Sequence, residues 1–500
     1  MIQLRSHASA NINYESCHTS YNTRIFPRIR AAMFGRSLKK TWFTLAEVYK
    51  EFSLECSIHG IKYTTTTKST ARLFWLIVLI SSFCCSLKLV ELFHEHSNMG
   101  SVSTLIMSDH LPTVKFTLPA ITICSGDIIP RENRYMPRGV THADLENSIK
   151  YLRDFFFPKN HFPDELDKLQ QILTANRMSI IDLLEMVSPN CTDILLMCQY
   201  EMKTVPCERL LKPVITNYGL CCAFNYHDPG RIVDSSSKPE KKLRSSLFGD
   251  NFVLSVVVKS YMAEQRLASL FFGDGIKMLV HEAYTMPGPS SLQHIAALGH
   301  ETIVRIGVRY LTSSDEIISL PTDIRGCYTS SSTTHPYRAD NCYKLCRESV
   351  IYNLCGCVPF FATLNKDTVG ICNLGHLSCL ARISLYIHQM TLVDPECKCL
   401  PNCRSTNFDI SVTSSTLSKI RYSPTELYKK AEQYGNTTIL HFTHDGQSGI
   451  LQRRELVVSK INLISNLGGV FALFLGCSFI SVVEVFYYFC IYFVQKLISK

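Results

Sequence analysis

Apolar residues run almost unbroken over 456–494, LVVSKINLISNLGGVFALFLGCSFISVVEVFYYFCIYFV, and again over 73–87, LFWLIVLISSFCCSL. Between these two runs the pattern changes to short β-branched stretches separated by polar loops. The earlier run reaches Phe93 if Lys88 and Glu91 lie at an interface, where long charged side chains can snorkel to water. The later run is too long for one straight span. From Ile461 onward it would extend about 50 Å as a helix, against roughly 30 Å for a bilayer's hydrocarbon core. Two full spans and a turn do not fit either, so the pattern predicts a tilted or interrupted helix with a break near Gly476, Cys477 and Ser478.

Within that helix Ser465, Gly469, Ala472 and Gly476 share one face at helical offsets. Small residues in lipid serve tight packing against a neighbouring helix, or they line a narrow pore. Glu484 favours the pore. A carboxylate deep in an apolar span costs about 2.5–3.5 kcal/mol on insertion scales and normally faces a bundle interior or a wet cavity.

Between the runs, residues 113–124 (TVKFTLPAITIC) are β-branched and predict a strand. Residues 163–186 carry Leu, Ile and Met at helical spacing, as packing positions. Strands are predicted at 252–259, 276–281 and 302–311, which implies a central sheet. A helix over 337–354 carries Cys342 and Cys346, and Ser423-Pro424-Thr425-Glu426 opens another as a capping box. Residues 234–246 read as a solvated loop.

Charge orients this pattern. The first 72 residues hold eleven Lys or Arg against four Glu, which by the positive-inside rule keeps residues 1–70 in the cytoplasm. This basic segment shows no long periodic run. It also shows no apolar leader, so the span at 71–93 is expected to act as an uncleaved signal anchor. Residues 94–455 are then extracellular, 456–494 form the second span, and 495–500 return to the cytoplasm. The net charge of +9 resides largely before the first span, so topology explains it without nucleic acid.

Sixteen of the 22 cysteines lie between the spans, an even, dense set that reads as disulfides in an oxidising compartment. Cys342 and Cys346 are one helical turn apart, about 6 Å. Cys397 and Cys399 would be about 6.6 Å apart on an extended strand. An antiparallel approach pairs Cys346 with Cys397 and Cys342 with Cys399, with Cys327 and Cys403 closing the nest. Zinc is the rival reading, from Cys355, Cys357 and His376, but CxC is not the usual ligand spacing. The sequons at Asn190 and Asn436 fall in the same region. No GxSxG, Walker, HExxH or GxGxxG motif occurs, and His281, His294, His300, His376 and His388 have no metal-ligand spacing. Neither an enzyme nor a cofactor or metal is indicated.

Taken together, the residues from about Cys56 to Tyr488 resemble the degenerin/epithelial sodium channel family, most closely its insect pickpocket branch. His59-Gly60 before the first span is similar to the family's gating dipeptide, although such a pair is also a plain turn. Trp75 matches the tryptophan at the span's entry. The stretch from Leu118 to Cys124 resembles the motif after the first span, with Leu118 where phenylalanine is usual and Ser125 where asparagine is. Gly219 to Asn225, GLCCAFN, is similar to the GxCxxFN segment. Gly468-Gly469, then Gly476-Cys477-Ser478, then Glu484, match the GxS filter signature and its following acid. Ser465 stands where enlargement of a small residue locks the family's channels open.

The resemblance implies a two-span membrane protein with a large disulfide-rich α+β ectodomain. That fold has a central β-sheet palm, a helical finger and a thumb at about 325–435, in a trimeric channel architecture. It implies the pairs Cys124–Cys221, Cys327–Cys403, Cys342–Cys399, Cys346–Cys397, Cys355–Cys379 and Cys357–Cys372. The pairing of Cys191, Cys198, Cys207 and Cys222 stays open. Expected function is a subunit of a sodium-selective, amiloride-sensitive, stimulus-gated cation channel of the plasma membrane. Gly476, Cys477 and Ser478 would form its filter, with Ser465, Gly468, Gly469, Glu484, His59 and Gly60 in pore and gating. Glu484 would ring the pore or anchor helix contacts. Permeant Na+, lipid and related subunits in a homo- or heterotrimer are the partners. A non-conducting auxiliary subunit is the alternative, and an ATP-gated two-span channel would share topology but not the GxS and thumb cysteine pattern.

Overall fold

The computed structural model describes residues 26–66, 68–98, 102–128, 147–158, 164–228, 243–261, 268–271, 273–330, 336–362, 370–384, 397–417, 425–457 and 460–499. His388, Ser423, Pro424 and most of the 234–246 loop lie outside them. The chain divides into two compact units, Met1–Ser101 with Val457–Lys500, and Val102–Leu456.

The first unit is helical. Ser69–Asn98 forms one continuous helix, of which Ser69–Glu95 is apolar enough to cross a membrane. The later apolar run divides into Lys460–Leu475 and a second helical stretch, Phe479–Ser499, whose middle, Tyr487–Tyr492, is π-helical. The unpatterned N-terminal segment expected from sequence is corrected: Phe26–Glu55 is a 30-residue helix. Among its described side chains Thr44, Val48, Phe52 and Ser53 are buried, the first three spaced by four. The Phe52 ring packs edge-on to Tyr488 and Phe489, with centroids 5.6 and 5.2 Å away. Glu47 and Glu51 flank this stripe and pair with Lys496 at 3.7 and 2.7 Å. Its apolar members are sparse among basic residues, so the period did not stand out.

The second unit is built on an eight-stranded sheet. Along its main path run Val102–Pro112, Ser448–Leu456, His300–Ser313, Thr437–His444, Leu254–Lys259, Leu195–Tyr200 and Lys203–Val205. The eighth strand, Ser405–Thr416, pairs with His300–Ser313 off this path, antiparallel from His300↔Thr416 to Leu311↔Ser405. The first two strands continue the chain from the two membrane segments, and they pair antiparallel, Val102↔Leu456 through Pro112↔Ser448. A five-stranded sheet follows the order Leu292–Ala297, Gly275–His281, Ala120–Cys124, Gly219–Phe224, Leu211–Thr216. Ile121, Ile123, Phe224, Met278 and Val280 from this sheet join Val256, Val258, Val304, Ile306 and Phe442 from the larger one in a single core. Full burial of each such side chain contributes about 1.5–3 kcal/mol.

Two expected elements are shorter than the pattern suggests. Only Ala120–Cys124 of the 113–124 run is a strand, preceded by a 3₁₀ turn at Thr113–Lys115; Pro119 has no N–H to give a ladder. The 163–186 helix is two, Asp164–Ala175 and Ile180–Val187. Ser179 breaks it by capping the second, its hydroxyl accepting from the Asp182 N–H at 3.2 Å while the Asp182 carboxylate accepts from the Ser179 N–H at 2.7 Å. The cysteine helix runs Ala339–Cys355 and ends on Gly356 at φ +69°.

Eight disulfides staple this unit. Cys124 pairs with Cys221, Cys327 with Cys403, Cys342 with Cys399, Cys346 with Cys397, Cys355 with Cys379 and Cys357 with Cys372. The four cysteines left open by sequence pair as Cys191–Cys222 and Cys198–Cys207. Cys397 and Cys399 are not on a strand, because the Cys399 N–H bonds the Cys397 carbonyl at 3.0 Å in a tight turn. One titratable group is sealed into the same unit. His281 is buried between the Thr122 hydroxyl at 2.9 Å and the Glu282 carbonyl at 3.1 Å. Burial pushes its pKa down to about 4.

Candidate functional site

The sequence Gly476-Cys477-Ser478 interrupts the late apolar helix for local reasons. Gly476 adopts φ +62°, a left-handed conformation that disfavours a Cβ. Its N–H closes on the Ala472 carbonyl at 2.9 Å and that of Cys477 on Phe471 at 3.2 Å, so a glycine C-cap ends Lys460–Leu475. Ser478 then starts the next helix as its N-cap, its hydroxyl accepting from the Ser481 N–H at 3.3 Å. The Ser481 hydroxyl accepts from the Ser478 N–H at 3.0 Å in return. Glycine closes one helix and serine opens the other.

The interruption is occupied by a second segment. The turn at 57–61, between the N-terminal helix and Ser69–Asn98, seats itself against the break. The His59 N–H donates to the Leu475 carbonyl at 3.0 Å, one of the carbonyls that a helix end releases. A Cβ added at Gly476 would lie 2.3 Å from His59 Nδ1. Glycine is required there twice over, by backbone conformation and by the imidazole. Gly60 turns the loop at φ +89°, with Leu79 Cδ2 3.2 Å and Trp75 Cε3 3.8 Å from where its Cβ would be. Trp75 in turn stacks on Tyr63, centroids 4.6 Å apart.

Glu484 belongs to the same cluster. Its carboxylate accepts from the Ser57 N–H at 2.8 Å and from the Ser57 hydroxyl at 2.9 Å. The Ser57 and Ser481 hydroxyls are 2.6 Å apart. The two hydrogen bonds from Ser57 to a single carboxyl oxygen of Glu484 hold the loop to the helix. Ser57 and Ser481 were not singled out from the sequence. Their only sequence signal is a serine beside His59-Gly60 and a serine three residues after an N-cap, and neither says that the two meet.

The remaining expected residues divide between two places. Ser465, Gly468, Gly469 and Ala472 occupy one exposed face of Lys460–Leu475, and added Cβ atoms at Gly468 and Gly469 would meet nothing within 4 Å. Val470 is buried instead. The two sequons are in the other unit. Asn190 precedes the short helix Cys191–Ile194 and donates its N–H to Asp193 at 2.9 Å. Asn436 precedes the strand Thr437–His444, where the hydroxyl of Thr438 donates to the His300 carbonyl at 2.8 Å. Among the described residues no three His, Cys, Asp or Glu side chains gather as metal ligands.

The chain is similar to known channels over most of its length. The family model of the amiloride-sensitive sodium channel matches residues 52–488. Sodium channel protein Nach of Drosophila melanogaster is 24% identical over 492 residues, covering 93% of this chain and 89% of that protein. Pickpocket protein 11 of the same species is 23% identical, covering 91% and 77%. The bile acid-sensitive ion channel of Mus musculus is 22% identical, covering 90% of each. Among solved structures, a proton-activated chloride channel overlaps 85% of this chain at 8% identity and a TM-score of 0.25, too low to bear on architecture. With two membrane-crossing helices, a disulfide-stapled domain between them and a family match over nearly its whole length, the chain belongs to the amiloride-sensitive sodium channel family, in its insect pickpocket branch, and is a channel protein and not an enzyme.

Proposed function

We propose that the chain is a subunit of a sodium-selective, amiloride-sensitive, stimulus-gated cation channel of the plasma membrane. It would act as one of three subunits, homomeric or with related chains, around a pore lined by its second span. The observation that carries this reading is the helix break at Gly476–Cys477–Ser478. A break releases backbone carbonyls, and three copies brought together would face a cation with a ring of them in place of part of its hydration shell. The small residues Ser465, Gly468, Gly469 and Ala472 leave the adjoining face free for close approach between copies.

In this reading the two termini are cytoplasmic and the disulfide-rich domain is extracellular. His59-Gly60 acts on the filter from the cytoplasmic side, and Glu484 serves as the fastening for that loop through Ser57. The paired strands Val102–Pro112 and Ser448–Leu456 are the route by which an extracellular event reaches both spans.

The test is whole-cell current with sodium and then potassium as the main external cation, comparing wild type with Ser465→Val. A constitutive, amiloride-blocked current that prefers sodium is expected from the variant. Absence of current at verified surface expression, alone and together with related subunits, would overturn the reading.

A further inference from the structure

We propose that the disulfide-rich unit contains a binding site for an amphipathic organic anion, a molecule with a flat apolar body and one carboxylate or sulfonate. The site is a cavity of about 650 Å³ between the end of the strand Val102–Pro112 and the base of the cysteine-rich lobe. That volume lies within the roughly 300–1,000 Å³ that small-molecule sites occupy.

Charge sets the sign of the ligand. Four cations line the cavity, Lys115, Arg244, Arg338 and Arg404, against one carboxylate, Glu282. Glu282 is already committed to Arg338, Nε to Oε2 2.5 Å. Arg338 also lies 5.8 Å from the centroid of the Tyr284 ring. Lys115, Arg244 and Arg404 form no ion pair among the described residues, and they reach the cavity from three separate parts of the chain. A cleft lined by one sign of charge with low-dielectric walls concentrates the opposite ion. Guanidinium groups match the planar oxygens of a carboxylate or sulfonate.

The walls set the shape of the ligand. Tyr284, Tyr310, Tyr328 and Tyr337 line the cavity around the buried ring of Phe116. Tyr328 and Tyr337 have ring centroids 4.5 Å apart, and the Tyr337 hydroxyl is taken up by the Leu400 carbonyl at 2.8 Å. Their ring surfaces are thereby fixed as walls. Asn402 contributes the remaining polar group: its buried amide oxygen has no donor among the described residues. A hydroxyl or N–H on the ligand would satisfy it, since a buried acceptor without a donor costs about 1–3 kcal/mol. A ligand held here joins Leu111 and Lys115, at the end of the strand that continues from the first span, to Cys403 and Arg404 of the lobe.

The experiment measures binding and not current, so its outcome is independent of whether the channel conducts. Full-length protein in neutral-detergent micelles is titrated calorimetrically with 6-hydroxynaphthalene-2-sulfonate and, separately, with uncharged 2-naphthol, an alcohol that carries the same hydroxyl without the sulfonate. Saturable binding of one sulfonate per chain is expected, at least about ten-fold tighter than the alcohol, the scale of one charge-assisted hydrogen bond. Arg244→Gln combined with Arg404→Gln should weaken the sulfonate by a similar factor and leave the alcohol unchanged. Both side chains are exposed, and an unaltered melting temperature verifies the fold. Lys115→Gln, in a different segment, supplies a second test and should weaken the sulfonate several-fold. Equal binding of sulfonate and alcohol, or sulfonate binding unchanged in these variants, would overturn the assignment.

Discussion

The two units of this chain are held together by different means. Val102–Leu456 is specified by long strand registers and eight disulfides, so losing any one contact leaves many neighbours in place. In the helical unit the break at Gly476–Cys477–Ser478 depends on few contacts: one glycine conformation, one serine cap, one bond from His59 to Leu475 and the Ser57–Glu484 pair. The comparison teaches where rigidity and responsiveness lie. A stapled frame resists local change, whereas a site made of single bonds between distant segments changes state at small energetic cost.

The largest effect expected from breaking the frame is loss of its longest staple in the cysteine-rich lobe. Cys327–Cys403 spans 76 residues, for which loop-closure entropy predicts about 4 kcal/mol. Replacing both with serine should reduce surface expression severely, as read by surface biotinylation. Normal abundance would show that the sheet registers suffice without it.

Acid should find a smaller weakness in the same frame. His281 is neutral when folded, with a pKa of about 4, whereas an exposed histidine protonates near ~6.5. The unfolded chain therefore binds the proton first as pH falls. Stability present above about 6.5 is lost progressively down to about 4, by roughly 3 kcal/mol in all. Melting temperatures of the purified protein should fall across that window, and His281→Gln should flatten the trend. An equally steep trend in the variant would assign the acid sensitivity elsewhere.

The smallest substitution tests the responsive unit. Gly476→Ala adds about 1–2 kcal/mol of left-handed strain and sets a methyl carbon 2.3 Å from His59 Nδ1. It should change current amplitude sharply, and His59→Ala should restore part of it by removing the clash. Independent, additive effects in the double variant would mean that the two residues do not act on one another.

Legibility in the sequence follows the range of each interaction. The helix break was readable because the apolar run is too long for one straight span and too short for two, and it forms where a glycine C-cap and a serine N-cap act within a few residues of themselves. The strands 252–259, 276–281 and 302–311 were readable because β-branched residues are concentrated there. Ser405–Thr416 was not, since STNFDISVTSST is largely polar and becomes a strand through its twelve-residue register with His300–Ser313. The partners of Cys191 and Cys198 were hidden for a related reason: spacing lets any of four nearby cysteines meet, and only the folded sheets select Cys222 and Cys207. At the helix break, each half of the contact was visible but not the meeting of Ser57 with Glu484, 427 positions apart.

That separation also orders events in time. At about 5–20 residues per second, the ribosome finishes residue 484 roughly 20–85 s after residue 57, the two being 427 positions apart. Throughout that interval the loop at 57–61 has no seat, while the disulfide-rich domain can already fold and oxidise. The newborn chain therefore completes its frame first and the contacts around its helix break last, and a chain truncated before residue 484 would leave its N-terminal loop unfastened.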